Sequence, residues 1–333
     1  MKNKSEKANP IGPFHTIIDE GFAKVEEIGK GVYAVLSDPT KGPLTICNGG
    51  FIVGRESILV IEGYGSPAGA KWVVQAARKV SQVPIKAAIL THSHWDHFLG
   101  IAYYGGEGIN VISHPQSREL IWENCLLQGQ DKSRILTPLE EKVEKTHDNI
   151  CRQHAQTDLD IMNIGLGLTE AAVHSIPNQP LKLEALPLSI NLGDITATIE
   201  VHPGHAPDNI VVRVLDQNIS FTGDLVCHQV YPMFISFDDD ILRRELRVLA
   251  SWGSSQLFVP GHGTLCGQKG ILALLGIIDD LKDHAHRMFD QRATIEEAIH
   301  SYRVPEKYSD WQVVAWDFSI GMAIRKYYTM FKK

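Results

Sequence analysis

From Lys24 to Ile61 apolar and polar positions alternate in short runs (VEEI, VYAVLS, TICNGGFIV, SILVIE), each closed by turn-forming residues. That pattern predicts an antiparallel sheet with tight turns. Ser66-Pro67 then offers an N-cap and a first-turn proline, so a helix is expected to about Ser81. Ile85 to Leu90 is nearly continuously apolar, the mark of a strand covered on both faces. It runs straight into Thr91-His92-Ser93-His94-Trp95-Asp96-His97, which places a polar cluster at the C-terminal end of a buried strand.

After a strand at Asn110 to Ser113, residues 115 to about 175 turn helical, and Thr137-Pro138-Leu139-Glu140 reads as a capping box that starts a helix. Strands are expected again at Leu188 to Ile190, Ile195 to His202, Ile210 to Leu215 and Ile219 to Thr222. A helix near Asp240 to Trp252, a strand at Gln256 to Val259 and mostly helix from Gly270 onward complete the pattern, with a further capping box at Thr294 to Glu297. Strands and helices in both halves predict two sheets packed face to face with helices outside, an α/β fold. The expected division is an N-terminal extension over 1–23, a main domain over 24–265 with a helical insertion at about 115–180, and C-terminal helices over 266–333 packed on the same domain.

Composition narrows the function classes. The 333 residues are 44% hydrophobic and 21% charged, which excludes a largely disordered chain. The formal net charge of −7 leaves no broad basic surface, so nucleic acid is not expected as a partner. No apolar run is long enough to span a membrane, and no apolar leader follows the polar N-terminus. Cys47, Cys125, Cys151, Cys227 and Cys266 are scattered without a C-x-x-C spacing and read as free thiols, so a reducing, cytoplasmic setting is the expectation.

The candidate chemistry begins with H-x-H-x-D-H. Two histidines two residues apart on an extended chain can aim the same way, and Asp96 and His97 fall where the chain turns into the next helix. Further ligand types stand near other strand ends: His205 in H-P-G-H-A-P-D-N, Asp224 in F-T-G-D-L and His262 in V-P-G-H-G, each beside a glycine that permits close backbone approach.

In this order the four motifs resemble those of the metallo-β-lactamase-fold metallo-hydrolase superfamily, over about residues 24 to 265. The resemblance implies an αβ/βα four-layer sandwich, here with a helical insertion and a helical C-terminal tail. It also implies a dinuclear site: His92, His94 and His205 on a first metal, Asp96, His97 and His262 on a second, and Asp224 bridging. Two zinc ions are the expected cofactors, with iron or manganese as other occupants. The implied activity is hydrolysis of an ester, thioester, lactone or amide bond in a small molecule by a metal-bridged hydroxide, with Asp96 also orienting that hydroxide or relaying a proton. A mononuclear iron oxidoreductase of the persulfide dioxygenase type is the alternative in the same fold. Glu62 stands where the family commonly has an aspartate, and this longer carboxylate is expected to orient the histidine loop differently.

Outside the ligand set, His228 is a catalytic candidate that would steady a developing oxyanion, against a reading as a hydrogen-bonded loop histidine. His202 is expected to brace its turn, and His114 to cap the chain before Pro115 or to line the site edge. Cys227 is a candidate soft ligand, and Trp95 either walls the pocket or packs under its loop. The aromatics Trp311, Trp316, Phe318, Tyr327, Tyr328 and Phe331 are read as a docked helix or a homodimer interface. Lys282 to Arg287 is read as a solvated helix face. Ile121, Trp122, Leu126 and Leu127 form an apolar stripe that packs over the metal edge as a cap or forms a subunit interface.

Overall fold

The computed structural model describes residues 12–129, 132–169 and 176–332. The first sheet is laid down in chain order: β1 (His15–Asp19), β2 (Ala23–Gly29), β3 (Val32–Ser37), β4 (Gly49–Val53), β5 (Ile58–Ile61), β6 (Ile85–Ile89), β7 (Val111–Ser113) and β8 (Gln179–Pro180). Strands β1 to β5 pair antiparallel, across short turns except for the 38–48 loop between β3 and β4, and β5 to β8 pair parallel. Parallel pairing needs a crossover, and helices supply each one. Helix α1 (Pro67–Val80) joins β5 to β6, with the Ser66 side chain accepting from Gly69 N at its start. Helices α2 (Trp95–Phe98) and α3 (Ile101–Gly106) join β6 to β7, and α4 (Ser117–Gly129), α5 (Lys132–Lys145) and α6 (Asn149–Thr169) join β7 to β8.

The second sheet contains β9 (Leu188–Asn191), β10 (Thr196–Val201), β11 (Ile210–Val214), β12 (Ile219–His228) and β13 (Leu257–Gly263), in spatial order β13-β12-β11-β10-β9. Only its β12–β13 pair is parallel, and α7 (Asp239–Ser251) is the crossover. Ala34, Ile52, Leu59, Ile61 and Ile89 of the first sheet meet Ile190, Ile199, Val212, Phe221 and Val259 of the second in one buried cluster, the layer between the sheets. Helices α1 and α3 cover the outer face of the first sheet. The outer face of the second is covered by α7, α8 (Gln268–Asp290), α9 (Ile295–Ser301) and α10 (Met322–Phe331), which completes the four layers.

Several sequence expectations shift. The segment set apart as an extension contributes β1, paired with β2. Helix α5 begins at Lys132, so Thr137 does not open it and Pro138 lies inside. This proline forfeits one helical hydrogen bond, in a helix that packs along α6. Lys282 and His284 leave the solvated face assigned to them: Lys282 pairs with buried Asp239 at 2.8 Å, and His284 Nε2 donates to the Ala298 carbonyl at 2.8 Å. The capping box at Thr294 and Glu297 forms as expected. The tail aromatics Trp311, Trp316, Tyr327, Tyr328 and Phe331 pack into the C-terminal cluster. Among the described residues no helix is long and apolar enough to cross a membrane.

Candidate metal centre

All seven motif residues converge at one end of the two sheets. His92, His94, Asp96 and His97 leave the end of β6 on a short loop and the first turn of α2. His205 sits on the turn between β10 and β11. Asp224 and His262 differ from expectation in lying within β12 and β13, not beyond their ends. Those strands run parallel with Gly223 opposite Pro260 and Cys227 opposite His262, and Asp224 lies in the irregular stretch between the two pairs, within reach of His262. Gly261 makes this possible, because a Cβ there would overlap Asp224 Oδ1.

The donor atoms form two groups, His92, His94, His205 and Asp224 in one and Asp96, His97 and His262 in the other, with all atoms of a group within 4.8 Å of one another. Asp224 reaches both. Its Oδ2 is 3.5 Å from His205 Nε2, and its Oδ1 is 3.2 Å from His97 Nε2 and 3.4 Å from His262 Nε2. Asp96 Oδ2 closes the second group at 3.0 Å from His262 Nε2. Each group takes residues from the β6 loop and from the second sheet.

The residues fit divalent metal ions. His92 Nε2, His97 Nε2 and Asp224 Oδ1 are buried with no hydrogen-bond partner, a costly arrangement unless another partner is meant to be there. Imidazole and carboxylate donors are the set that zinc and similar first-row ions take. Charge points the same way. Burial, with the neighbouring imidazoles, pulls His92 well below the ordinary histidine value, and burial brings His205 down to about 3, so these imidazoles of the first group are neutral. Burial also acts against protonation of His262, but Asp224 and Asp96 outweigh it and raise the ring to about 10. His97 is raised likewise. The second group thus holds protons where a cation would neutralise the same carboxylates.

A further layer orients these ligands. Glu62, buried at the end of β5, accepts from Thr91 Oγ1 at 2.6 Å through Oε2, and that oxygen also lies 3.0 Å from His97 Nδ1. Thr91 Oγ1 is in turn 3.1 Å from His92 Nδ1, so one carboxylate reaches a ligand of each group. The role of Thr91 was not foreseen, and its only signal is its place before His92. Asp208 was missed as well. It is fully buried and accepts from Ser117 Oγ at 2.7 Å, tying the start of α4 to the turn that carries His205.

The other candidates separate from the cluster. His228 ends β12 with Nδ1 2.9 Å from Thr264 Oγ1 and its ring edge-on to Trp311, and among the described residues no hydrogen bond or ion pair joins it to the seven. These are the contacts that the loop-histidine reading expects. His202 is braced between Glu200 and Glu245 as expected, and His114 Nδ1 accepts locally from Gln116 N. Cys227 is buried, and burial holds its thiol well above the ordinary value. Cys47, Cys151, Cys227 and Cys266 are free, while the side chain of Cys125 lies outside the described residues. Trp95 is partly buried against the cluster beneath α1 and α3. Helices α4 and α6 pack on α2, which carries Asp96 and His97. From the apolar stripe, Ile121 is buried and Trp122 is exposed, and the side chains of Leu126 and Leu127 lie outside the described residues.

Two sheets with this donor set at one end define a class, and comparison with known proteins agrees. The family model described as the metallo-beta-lactamase superfamily matches residues 42–262, and the chain belongs to that superfamily of metal-dependent hydrolases. A linear primary-alkylsulfatase of a Pseudomonas species is 22% identical over 262 residues, 75% of this chain and 48% of the relative, so the chain spans about half the length of that curated protein. Among solved structures, the metallo beta lactamase of Erythrobacter litoralis, crystallised with beta mercaptoethanol in its active site, superposes with a TM-score of 0.55. It is 18% identical and covers 79% of this chain and 98% of its own. TMB-1 superposes with a TM-score of 0.53 at 17% identity, covering 76% of this chain and 95% of its own. At these identities the likeness is one of fold.

Proposed function

We propose that the protein is a dinuclear zinc-dependent hydrolase that cleaves an ester, thioester, lactone or amide bond in a small molecule. The observation that carries this reading is Asp224, whose two carboxylate oxygens face different donor groups. A mononuclear iron oxidoreductase would leave one group without an occupant, whereas the seven ligand positions are all filled by ligating residues. A second bond class, a sulfate ester, is favoured by the matched alkylsulfatase and belongs in the same test.

His92, His94 and His205 would hold one ion, Asp96, His97 and His262 the other, and Asp224 both. Such ions act as Lewis acids and bring a water pKa down towards about 7. The chain's own residues supply the rest. Asp224 is the more enclosed carboxylate at 6% exposure, while Asp96 is 14% and His262 21% exposed, so solvent reaches the second group at Asp96 and His262. Asp96, the carboxylate nearer solvent, is the group proposed to pass a proton to the departing half of the substrate. Glu62 and Thr91 keep the His92 and His97 rings turned inward while this occurs.

Elemental analysis should find two divalent ions per chain. Asp224→Ala should hold fewer than half as much metal and lose at least about a hundredfold in kcat/KM. A screen over lactones, esters, thioesters, β-lactams and primary alkyl sulfates identifies the bond class. One tightly held iron per active chain, or full activity in Asp224→Ala, would overturn the reading.

A further inference from the structure

Each of three histidines in the cluster has its outward ring nitrogen near a side-chain oxygen. For His92 the partner is Thr91 and for His97 it is Glu62, both next to the β6 loop. For His94 it comes from far along the chain. His94 Nδ1 lies 3.0 Å from His205 Nε2 inside the four-donor group, and His94 Nε2 lies 3.1 Å from Ser236 Oγ. With Nδ1 directed at a cation, the ring proton resides on Nε2 and is donated to Ser236 Oγ. The serine hydroxyl then has its own proton for the His205 carbonyl, 3.4 Å away. One hydroxyl therefore joins the ring of one ligand to the backbone of another.

Ser236 is held there by the C-terminal layer. It lies on the connection between β12 and α7, where Tyr231 N donates to the Gln312 carbonyl at 2.8 Å and Phe234 N to the Phe318 carbonyl at 2.9 Å. Phe234 and Phe237, on either side of Ser236, are buried in the cluster with Trp311 and Tyr327. Two residues further on, Asp238 N donates to the Gly204 carbonyl at 2.9 Å, beside His205.

We infer that Ser236 is a positioning residue that fixes the tautomer and aim of His94, through which the C-terminal segment around Gln312 to Phe318 sets the geometry of the His92, His94, His205 site. This rests on the reading that the four-donor group holds a metal ion. Outer hydrogen bonds of this kind typically change metal affinity by about 10- to 100-fold, and because Ser236 is exposed enough for water to substitute in part, the lower end applies.

The test is a zinc titration of the full chain against a chromogenic chelator, resolving the two binding steps. Ser236→Ala should weaken one step about tenfold and leave the other within about twofold, with the melting temperature of the metal-free protein unchanged. Ser236→Thr, which keeps the hydroxyl, should bind like the wild type. The inference is overturned if Ser236→Ala titrates as the wild type does, if both steps weaken alike, or if Ser236→Thr is as weak as Ser236→Ala. A wild-type chain that binds no zinc would sink the metal reading as well, which separates the two failures.

Discussion

Glu62 shows how much of the site rests on a single side chain. Its backbone has φ +96°, a conformation that L residues adopt at a cost of about 1–3 kcal/mol. That conformation places its carboxylate between Thr91 and His97. Glu62→Gln keeps the volume but removes the charge that faces His97, so affinity for one metal should fall about ten- to a hundredfold with little change in fold, as read by zinc competition and circular dichroism. An unchanged titration would mean that the carboxylate is only a structural brace. The seven donor residues that the fold brings together were legible in the sequence because histidines and aspartates crowd into short motifs, three of which also hold a glycine. Thr91, Asp208 and Ser236 were not, because a hydroxyl or a lone carboxylate acquires its meaning only from what the fold sets opposite it. His228 shows the converse: four residues after Asp224, at the end of β12, its ring is hydrogen-bonded to Thr264.

Among the elements, the helical insertion carries the most unusual ionisable group. Asp158 on α6 is fully buried, and its oxygens accept from Asp317 N at 3.2 and 3.4 Å. Burial, reinforced by the Asp317 carboxylate, raises its carboxyl to about 7, against the smaller opposing pull of Lys142 and Arg325. Nearby, His154 stacks on Trp316 with ring centroids 4.3 Å apart, so α6 is fastened to the turn before α10 at two points. The folded value lies above the unfolded one of about 3.9. The stabilising effect is therefore complete below about pH 3.9 and is lost as pH rises towards 7. Asp158→Asn is freed from that loss. It should melt on the order of 5 °C higher than the wild type at pH 8 and within about 1 °C of it at pH 4, by calorimetry. Equal melting temperatures at both values would show that Asp158 is not held protonated. The existence of these helices was legible from the loss of strand alternation, but their ends were not. At Thr137 a local capping signal falls inside a longer helix that packs along α6, and in β12 and β13 glycines read as turns lie within parallel-paired strands.

At the scale of the whole molecule, the order of motifs along the chain foretold the four layers, since strands interleaved with helices leave few other ways to bury both sheet faces. What the sequence did not display is how the ligands divide between the sheets. The β6 loop of the first sheet supplies His92, His94, Asp96 and His97, and the second supplies His205, Asp224 and His262. The helical insertion is spliced between these sets, after β7 and before the second sheet begins. A chain cut inside the insertion would divide the ligands four and three, and neither fragment would hold a complete group. Metal uptake would then report reassembly, since only a pair that has rebuilt the interface between the sheets can bring both sets together. The insertion is thus a natural place to make a split protein whose complementation is read directly as metal uptake.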